Sequence, residues 1–353
     1  MKLIHRRLNR RQLLGLSLST AVLTACGRTD TSSSTVASPV ATAASPAATT
    51  AAGTAAAAGG TSAAKLRLGF QPPYVAVYTL QEQKLLEKAF AGKPTSFEAF
   101  RMLSLKPVTE AIASSAIDLG IGGTPIPGIA ADLPIRVIAI VERSPKTHAI
   151  LVSPNSPIKT PADLKGKKVG TPTGKSHLLV LKVLEKAGLK DTDIEWVQLE
   201  NDAGRAALQQ GAIDAWATWD PFYASVETAG DAVAIADGDG YINNFVVVFG
   251  RNEYLDQYPD TVKQFLSAYK ESVAWVNANR AAAAEILVQQ NKLSPEAAKL
   301  TLDRRNIVLE APNQTFREDM DYQTNLLLQL QLIKKQPTWD QVIDPSFAQA
   351  VLT

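Results

Sequence analysis

From Lys65 to Gly250, short apolar runs of strand length alternate with runs of helical spacing. That alternation restricts the chain to an α/β fold with a largely parallel sheet. The strand-like runs include KLRLGFQ (65–71), SFEAFRML (96–103), AIDLGIGG (116–123) and IRVIAIVE (135–142). They continue with HAILVS (148–153), KKVGT (167–171), DIEWVQL (193–199), AIDAWATW (212–219) and FVVVFG (245–250). Between them, TLQEQKLLEKAF, PVTEAIASS, SHLLVLKVLEKA and DAGRAALQQ carry helical spacing. Thr160 and Pro161 stand where an N-cap and a first helical residue belong, and Gly188 where a left-handed C-cap belongs. Beyond Asp260 the chain reads as mostly helical.

One unit of this alternation occurs twice. SAIDLGIGGTPI begins at Ser115 and GAIDAWATWDPF at Gly211, each behind a short helical run. Each reads Ala-Ile-Asp, then an apolar strand, then a loop holding a proline. The residues admit two readings, a duplicated lobe or the ordinary likeness of strand–loop units. On the first, there are two α/β lobes. The first is split, spanning 65–152 plus 245–353, and the second spans 153–244, with HAILVS and FVVVFG carrying the crossings. Ligands of open α/β sheets sit beyond the carboxyl ends of the strands, so two facing lobes would offer both proline loops to one cleft.

The N-terminus reads as an address rather than as fold. A basic MKLIHRRLNRR precedes LLGLSLSTAVL, an apolar run of signal-peptide length that is too short to span a bilayer as a helix. Leu23-Thr24-Ala25 then leads into Cys26, the single cysteine. One cysteine excludes an intrachain disulfide framework. From Thr31 to Ala64 the chain is almost wholly Ala, Thr, Ser, Gly and Pro. Such a segment cannot bury enough surface to offset its ordering entropy, and it reads as a tether reaching roughly 30 Å. Removing residues 1–25 takes five of the 36 Lys and Arg away, leaving 31 against 34 Asp and Glu, a net charge of −3. A mildly acidic body lacks the concentrated basic face that nucleic acid requires.

LRLGFQ, AIDLGIGGTP, AILVSPNSPIKTPADLKGKKVG, LEKAGL and AIDAWATWDPF together resemble the solute-binding proteins of the ABC importers for sulfonate, nitrate and taurine. The nearest likeness is to the aliphatic-sulfonate and taurine branch. It runs from Lys65 to the end and is strongest from Ala149 to Phe222. It implies a type II periplasmic-binding-protein fold, two α/β lobes joined by two crossing strands, closing on a small anionic solute and delivering it to an ABC permease and its ATPase. Leu23 to Cys26 resembles a bacterial lipobox, which implies cleavage before Cys26 (1–25 as signal peptide), lipidation of its thiol and a lipid-anchored tether over 26–64. Arg10-Arg11 resembles a twin-arginine export signal. The expected protein is thus an exported, lipid-anchored monomer. It touches the membrane through its lipid alone and binds a solute, most readily an aliphatic sulfonate. Nitrate, bicarbonate, taurine and a thiamine-precursor pyrimidine are the alternatives, with an enzyme on the same fold further off.

The resemblance places a polar contact after the first strand, at Gln71. Gly123 and Thr124 follow the third strand, where glycine lets backbone approach a ligand and a hydroxyl can donate. The family often carries an acid where Gly123 stands, so amine recognition is in doubt. Gly174-Lys175-Ser176 is not a phosphate loop, since three residues rather than four separate Gly170 from Gly174. Lys175 and Ser176 remain candidates for an anion at a helix start, although Ser176 reads equally as an N-cap. Trp219 is placed to wall an alkyl chain, with its indole N–H free for an oxygen. Asp220 reads as an N-cap before Pro221, and Asn244 as an amide donor. No serine elbow or metal-ligand set stands out, and no catalytic residue, metal or cofactor is expected.

Overall fold

The computed structural model describes residues 65–102 and 104–353. The expected signal peptide, Cys26 and the tether lie outside the described residues.

The first sheet takes β1 (Lys65–Phe70), β2 (Ser96–Arg101), β3 (Leu119–Gly123) and β4 (Ile135–Arg143). The second takes β5 (His148–Val152), β6 (Lys168–Thr171), β7 (Glu195–Gln198), β8 (Ala215–Trp219) and β9 (Val233–Asp237). The chain then returns to the first sheet with β10 (Phe245–Arg251) and β11 (Ile307–Glu310). Around the first sheet pack α1 (Val75–Glu82), α2 (Leu85–Ala89), α3 (Leu105–Ala113) and α4 (Ile126–Ala130). The second carries α5 (Leu178–Lys186), α6 (Asn201–Gln209) and α7 (Phe222–Thr228). The C-terminal part adds α8 (Asn252–Gln257), α9 (Pro259–Ala278), α10 (Arg280–Asn291), α11 (Pro295–Asp303), α12 (Gln314–Gln329), α13 (Trp339–Val342) and α14 (Ser346–Leu352). TLQEQKLLEKAF is two helices rather than one, because Lys84 adopts φ +51° between α1 and α2.

The two sheets have one order. The first runs β2-β1-β3-β10-β4 before its edge strand β11, and the second runs β7-β6-β8-β5-β9. In each, the first three strands are parallel and the fourth is antiparallel to its neighbours. Strands covered on both faces read as continuous apolar runs, and their side chains divide by period two. Val246 and Val248 of β10 enter one core, Phe245, Val247 and Phe249 the other. Ala149 and Leu151 of β5 likewise separate from Ile150 and Val152.

This order corrects the expected lobe boundary. His148–Val152 is not the end of the first lobe. It lies between β8 and β9, with Ala149 to Val152 buried inside the second. Each lobe therefore receives its antiparallel strand directly after the chain crosses over. The crossings are the connections at 144–147 and 238–244. They are tied together: Ser144 N–H donates to the Asn244 carbonyl at 3.2 Å, and Asn244 Nδ2 donates to Ser144 O at 2.8 Å and Thr147 Oγ1 at 3.0 Å.

The repeated phrase has a structural counterpart, at the end of the sheet away from the strand carboxyl termini. Both copies begin on a residue with positive φ, Ser115 at +58° and Gly211 at +69°. Ala116 and Ile117 then donate to Ala111 O, while Ala212 and Ile213 donate to Ala207 O, closing each helix alike. Asp118 N–H donates to Arg67 O at 2.8 Å while its carboxylate accepts from Arg67 N–H at 2.9 Å. Asp214 makes the same two-way clasp on Lys168, at 2.9 and 2.7 Å. Ile117 and Ile213 then fill the space over Gly69 and Gly170, where a Cβ would lie 2.5 and 2.6 Å from their Cδ1 atoms. Ala-Ile-Asp is thus a strand-entry clasp preceding β3 and β8, not part of either strand.

Candidate functional site

The carboxyl ends of β1, β3, β6, β7 and β8 all open onto the space between the lobes. Two contiguous chambers fill it, of about 470 and 240 Å³. Gly123, His148, Thr173, Trp219 and Asn244 border both. The 96-residue offset of the two phrases makes Gly123 and Trp219 equivalent positions, and they border the same space from opposite lobes.

Each lobe turns a helix start toward the first chamber. Ser104, Leu105 and Lys106 open α3, and Glu200 and Asn201 open α6. Neither start is capped by a side chain. Backbone N–H groups of a first turn lack intrahelical acceptors and carry the positive end of the helix dipole, which favours an anion. Gln71 lies over Gly122, where a Cβ would meet its Oε1 at 2.7 Å. Glycine there lets the amide rest on the end of β3. Gly123 itself faces open space.

Arg305, 6 % exposed, also borders the first chamber. Its Nη1 donates to Glu142 Oε2 at 2.5 Å, and its Nε has no partner among the described residues. Glu142 is buried beside it and also accepts from Ser144 Oγ at 3.2 Å. Burial pushes the Glu142 carboxyl up, and the Arg305 charge opposes this. Asp220, 1 % exposed, is not the N-cap of α7, a position Pro221 takes; from one residue further back its carboxylate accepts from Ala224 N–H at 2.9 Å and from Arg304 Nη1 at 3.2 Å. Burial raises its pKa to about 6 against the pull of Arg304 and Arg305. Its Oδ2 has no partner among the described residues.

Three rings cluster at the second chamber, and two of them, His148 and Trp219, also border the first. His148 and Trp219 lie 5.5 Å apart between centroids, His177 and Trp219 6.1 Å, and the two histidines 6.1 Å. Burial lowers the pKa of His148 to about 3, helped by the neighbouring His177 and Arg305, and that of His177 to about 4. Both imidazoles are therefore neutral at physiological pH.

Of the residues singled out in the sequence, Gln71, Gly123, Trp219 and Asn244 border the first chamber, and Thr124 and Ser176 join the last three around the second. Lys175 does not. Gly174–Ser176 folds as a single 3-10 turn ahead of α5, which leaves Lys175 exposed and outside both linings. Ser176 is not the N-cap of α5: that position is His177, and the Ser176 hydroxyl donates to Thr173 O at 2.7 Å. Asn244 spends its amide donors on the crossing segments described above. Sequence reasoning missed His148, His177, Ser104, Asn201 and Arg305. His177 adjoins Ser176 and was within reach of the same argument. Arg305 enters from the far end of α11, for which no local signal exists.

The comparisons with known proteins agree with this geometry. The family model described as NMT1/THI5 like matches residues 105–283. A protein of Escherichia coli (strain K12) named "Putative aliphatic sulfonates-binding protein" is 33 % identical over 243 residues, 68 % of this chain and 76 % of the relative. The crystal structure of the periplasmic aliphatic sulphonate binding protein SsuA from Escherichia coli superposes with a TM-score of 0.74 at 30 % identity, covering 80 % of this chain and 93 % of that one. The alkanesulfonate-binding protein SsuA from Xanthomonas axonopodis pv. citri, bound to MOPS, gives 0.72 at 27 %, covering 82 % and 98 %. The chain belongs to the NMT1/THI5-like family and has the two-lobed periplasmic-binding-protein fold of the aliphatic-sulfonate-binding proteins.

Proposed function

We propose that this chain is the extracytoplasmic solute-binding component of an ABC importer and that its ligand is an aliphatic sulfonate. One observation carries the reading: an uncapped helix start from each lobe and the buried Arg305 guanidinium border the same cavity as the Trp219 ring. The donors suit a sulfonate's three oxygens, and the ring covers an organic tail. The names of the related proteins support the same ligand class. The ligand is bound without turnover, as a monomer, and closure of the lobes on it presents the loaded protein to the permease. Export by the basic N-terminal segment and lipidation at Cys26 hold the body at the membrane surface, as the lipobox-like Leu23 to Cys26 implies.

A second reading is an aminosulfonate such as taurine. It rests on Asp220 Oδ2, a buried carboxylate oxygen without a partner among the described residues, beside Glu200 in the same lining.

Calorimetric titration of the protein with ethanesulfonate, a longer alkanesulfonate, taurine, sulfate, nitrate, bicarbonate and a hydroxymethylpyrimidine tests both readings. Sulfonates are expected to bind at micromolar or lower Kd while sulfate and nitrate stay silent. Trp219→Ala is expected to weaken the longer alkanesulfonate at least tenfold, since it removes the ring from the wall. Taurine binding far above ethanesulfonate transfers the assignment to the second reading. Binding of inorganic anions alone refutes both.

A further inference from the structure

The second chamber holds polar groups that nothing among the described residues satisfies. His177 is 3 % exposed, yet neither ring nitrogen meets a hydrogen-bonding partner from another described residue. Thr124 Oγ1 is buried and equally without a partner among the described residues. The two come from opposite lobes and border the same space. A buried polar atom left without a partner costs on the order of 1–3 kcal/mol, so these groups call for water or a ligand atom. The remaining wall mixes apolar Leu179, Ile242, Phe245 and Met320 with uncharged polar Thr173, Ser176, Asn244 and Gln323, and among the described residues no Asp, Glu, Lys or Arg borders it. With both imidazoles neutral, the chamber offers hydrogen-bond donors and acceptors but no charge.

The first chamber is charged, with Lys106, Arg305 and two helix starts bordering it alongside Glu200 and Asp220. The charged head of a sulfonate belongs there. We infer that the second chamber is a subsite for the far end of the ligand, and that it selects an uncharged tail carrying a hydroxyl, ether or amide oxygen, held by His177 and Thr124. This rests on the sulfonate reading above and specifies the substrate class within it. A methyl-ended tail would shut His177 and Thr124 off from solvent and offer them no hydrogen bond in return. An ammonium-ended tail would enter a site with no counter-charge.

The test compares tails of matched size on the full-length protein by calorimetry: 4-hydroxybutanesulfonate against pentanesulfonate, 6-hydroxyhexanesulfonate against heptanesulfonate, with 6-aminohexanesulfonate and ethanesulfonate alongside. At least one hydroxyl tail is expected to bind fivefold or more tighter than its methyl partner, and the amine to bind weakest of the long series. His177→Phe is expected to bring the hydroxyl-to-methyl ratio to one or below. Thr124→Val, which keeps the side-chain shape, is expected to lower the same ratio and serves if the His177 variant does not fold. Methyl tails equal to or tighter than hydroxyl tails in the unmodified protein overturn the inference and leave the sulfonate reading intact. So does a ratio unchanged in both variants, which would place the sulfonate head in the second chamber if every affinity fell together. Silence toward every sulfonate, ethanesulfonate included, overturns the sulfonate reading and this inference with it.

Discussion

At the scale of single residues, the two histidines have a measurable consequence. His148 and His177 pack against each other and Trp219, with the Arg305 charge near His148. Burial holds their pKa values at about 3 and 4, below the 6.5 or so of an exposed imidazole. Below pH 6.5 the unfolded chain takes up protons that the folded protein refuses. The stability they contribute is therefore complete above pH 6.5 and is lost as pH falls toward 4. Asp220, its pKa raised to about 6, works in the opposite direction over part of this range. A variant comparison isolates the histidine. Between pH 7 and pH 5, His177→Asn is expected to lose about 2 kcal/mol less of its urea-unfolding free energy than the unmodified protein, from roughly 1.4 kcal/mol per pH unit. Equal losses would mean that His177 titrates alike in the folded and the unfolded chain.

At the scale of elements, the duplicated strand-entry clasp can be weighed copy against copy. Asp118 is 1 % exposed and holds Arg67 through Nε at 3.0 Å and Nη2 at 2.7 Å, with Arg251 Nη2 at 3.2 Å. Asp214 stands in the same place on the second sheet but is exposed, and it accepts from the Lys168 backbone. Asp118→Ala removes the buried carboxylate that holds Arg67 and leaves Arg251 only its pair with Glu253, and is expected to cost about 3 kcal/mol. Asp214→Ala gives up one backbone hydrogen bond to water-accessible surface and is expected to cost about 1 kcal/mol or less. Chemical denaturation of the two variants measures both, and equal costs would contradict this account. The same comparison shows how far the sequence could be read. The duplication was legible because both copies keep the Ala-Ile-Asp spelling at one spacing. The ends of β1, β3 and β8 were legible because a polar or small residue interrupts an apolar run, and that found Gln71, Gly123 and Trp219. β9 was missed because VAIAD lies half exposed at an edge, and β11 because four residues carry no usable period. Lys175 was misplaced because a local pattern cannot tell a 3-10 turn from the first turn of a helix.

At the scale of the whole molecule, the lobes are joined by more than the crossing segments. On one side of the crossings, Tyr322 of α12 donates its hydroxyl to Glu185 of α5 at 3.0 Å and lies 3.4 Å from Lys182 Nζ, ring centroid to nitrogen. On the other, Arg304 follows α11 and reaches into the second lobe. It meets Asp220 at 3.2 Å, pairs with Glu227, and stacks its guanidinium 3.7 Å from the centre of the Tyr223 ring. Asp220 and Tyr223 flank the turn from β8 into α7, directly after Trp219. A cation from one lobe thus grips the residues that follow the Trp219 ring in the other. If this grip helps hold the lobes together on a ligand, its loss raises the free energy of the closed, loaded form without touching the Trp219 ring itself. Arg304→Met keeps the apolar stem over Tyr223 and removes the charge. It is expected to weaken alkanesulfonate binding about tenfold, equivalent to roughly 1.4 kcal/mol, with the dissociation rate carrying most of the change. Small-angle scattering of the unliganded variant should show a larger radius of gyration than the unmodified protein. Asp220→Asn in the same background relieves the stranded carboxylate, so it is expected to recover stability but not affinity. Stopped-flow dissociation rates that match the unmodified protein would show that the grip of Arg304 persists in the open and closed forms alike, and would leave closure to the ligand and the crossing segments.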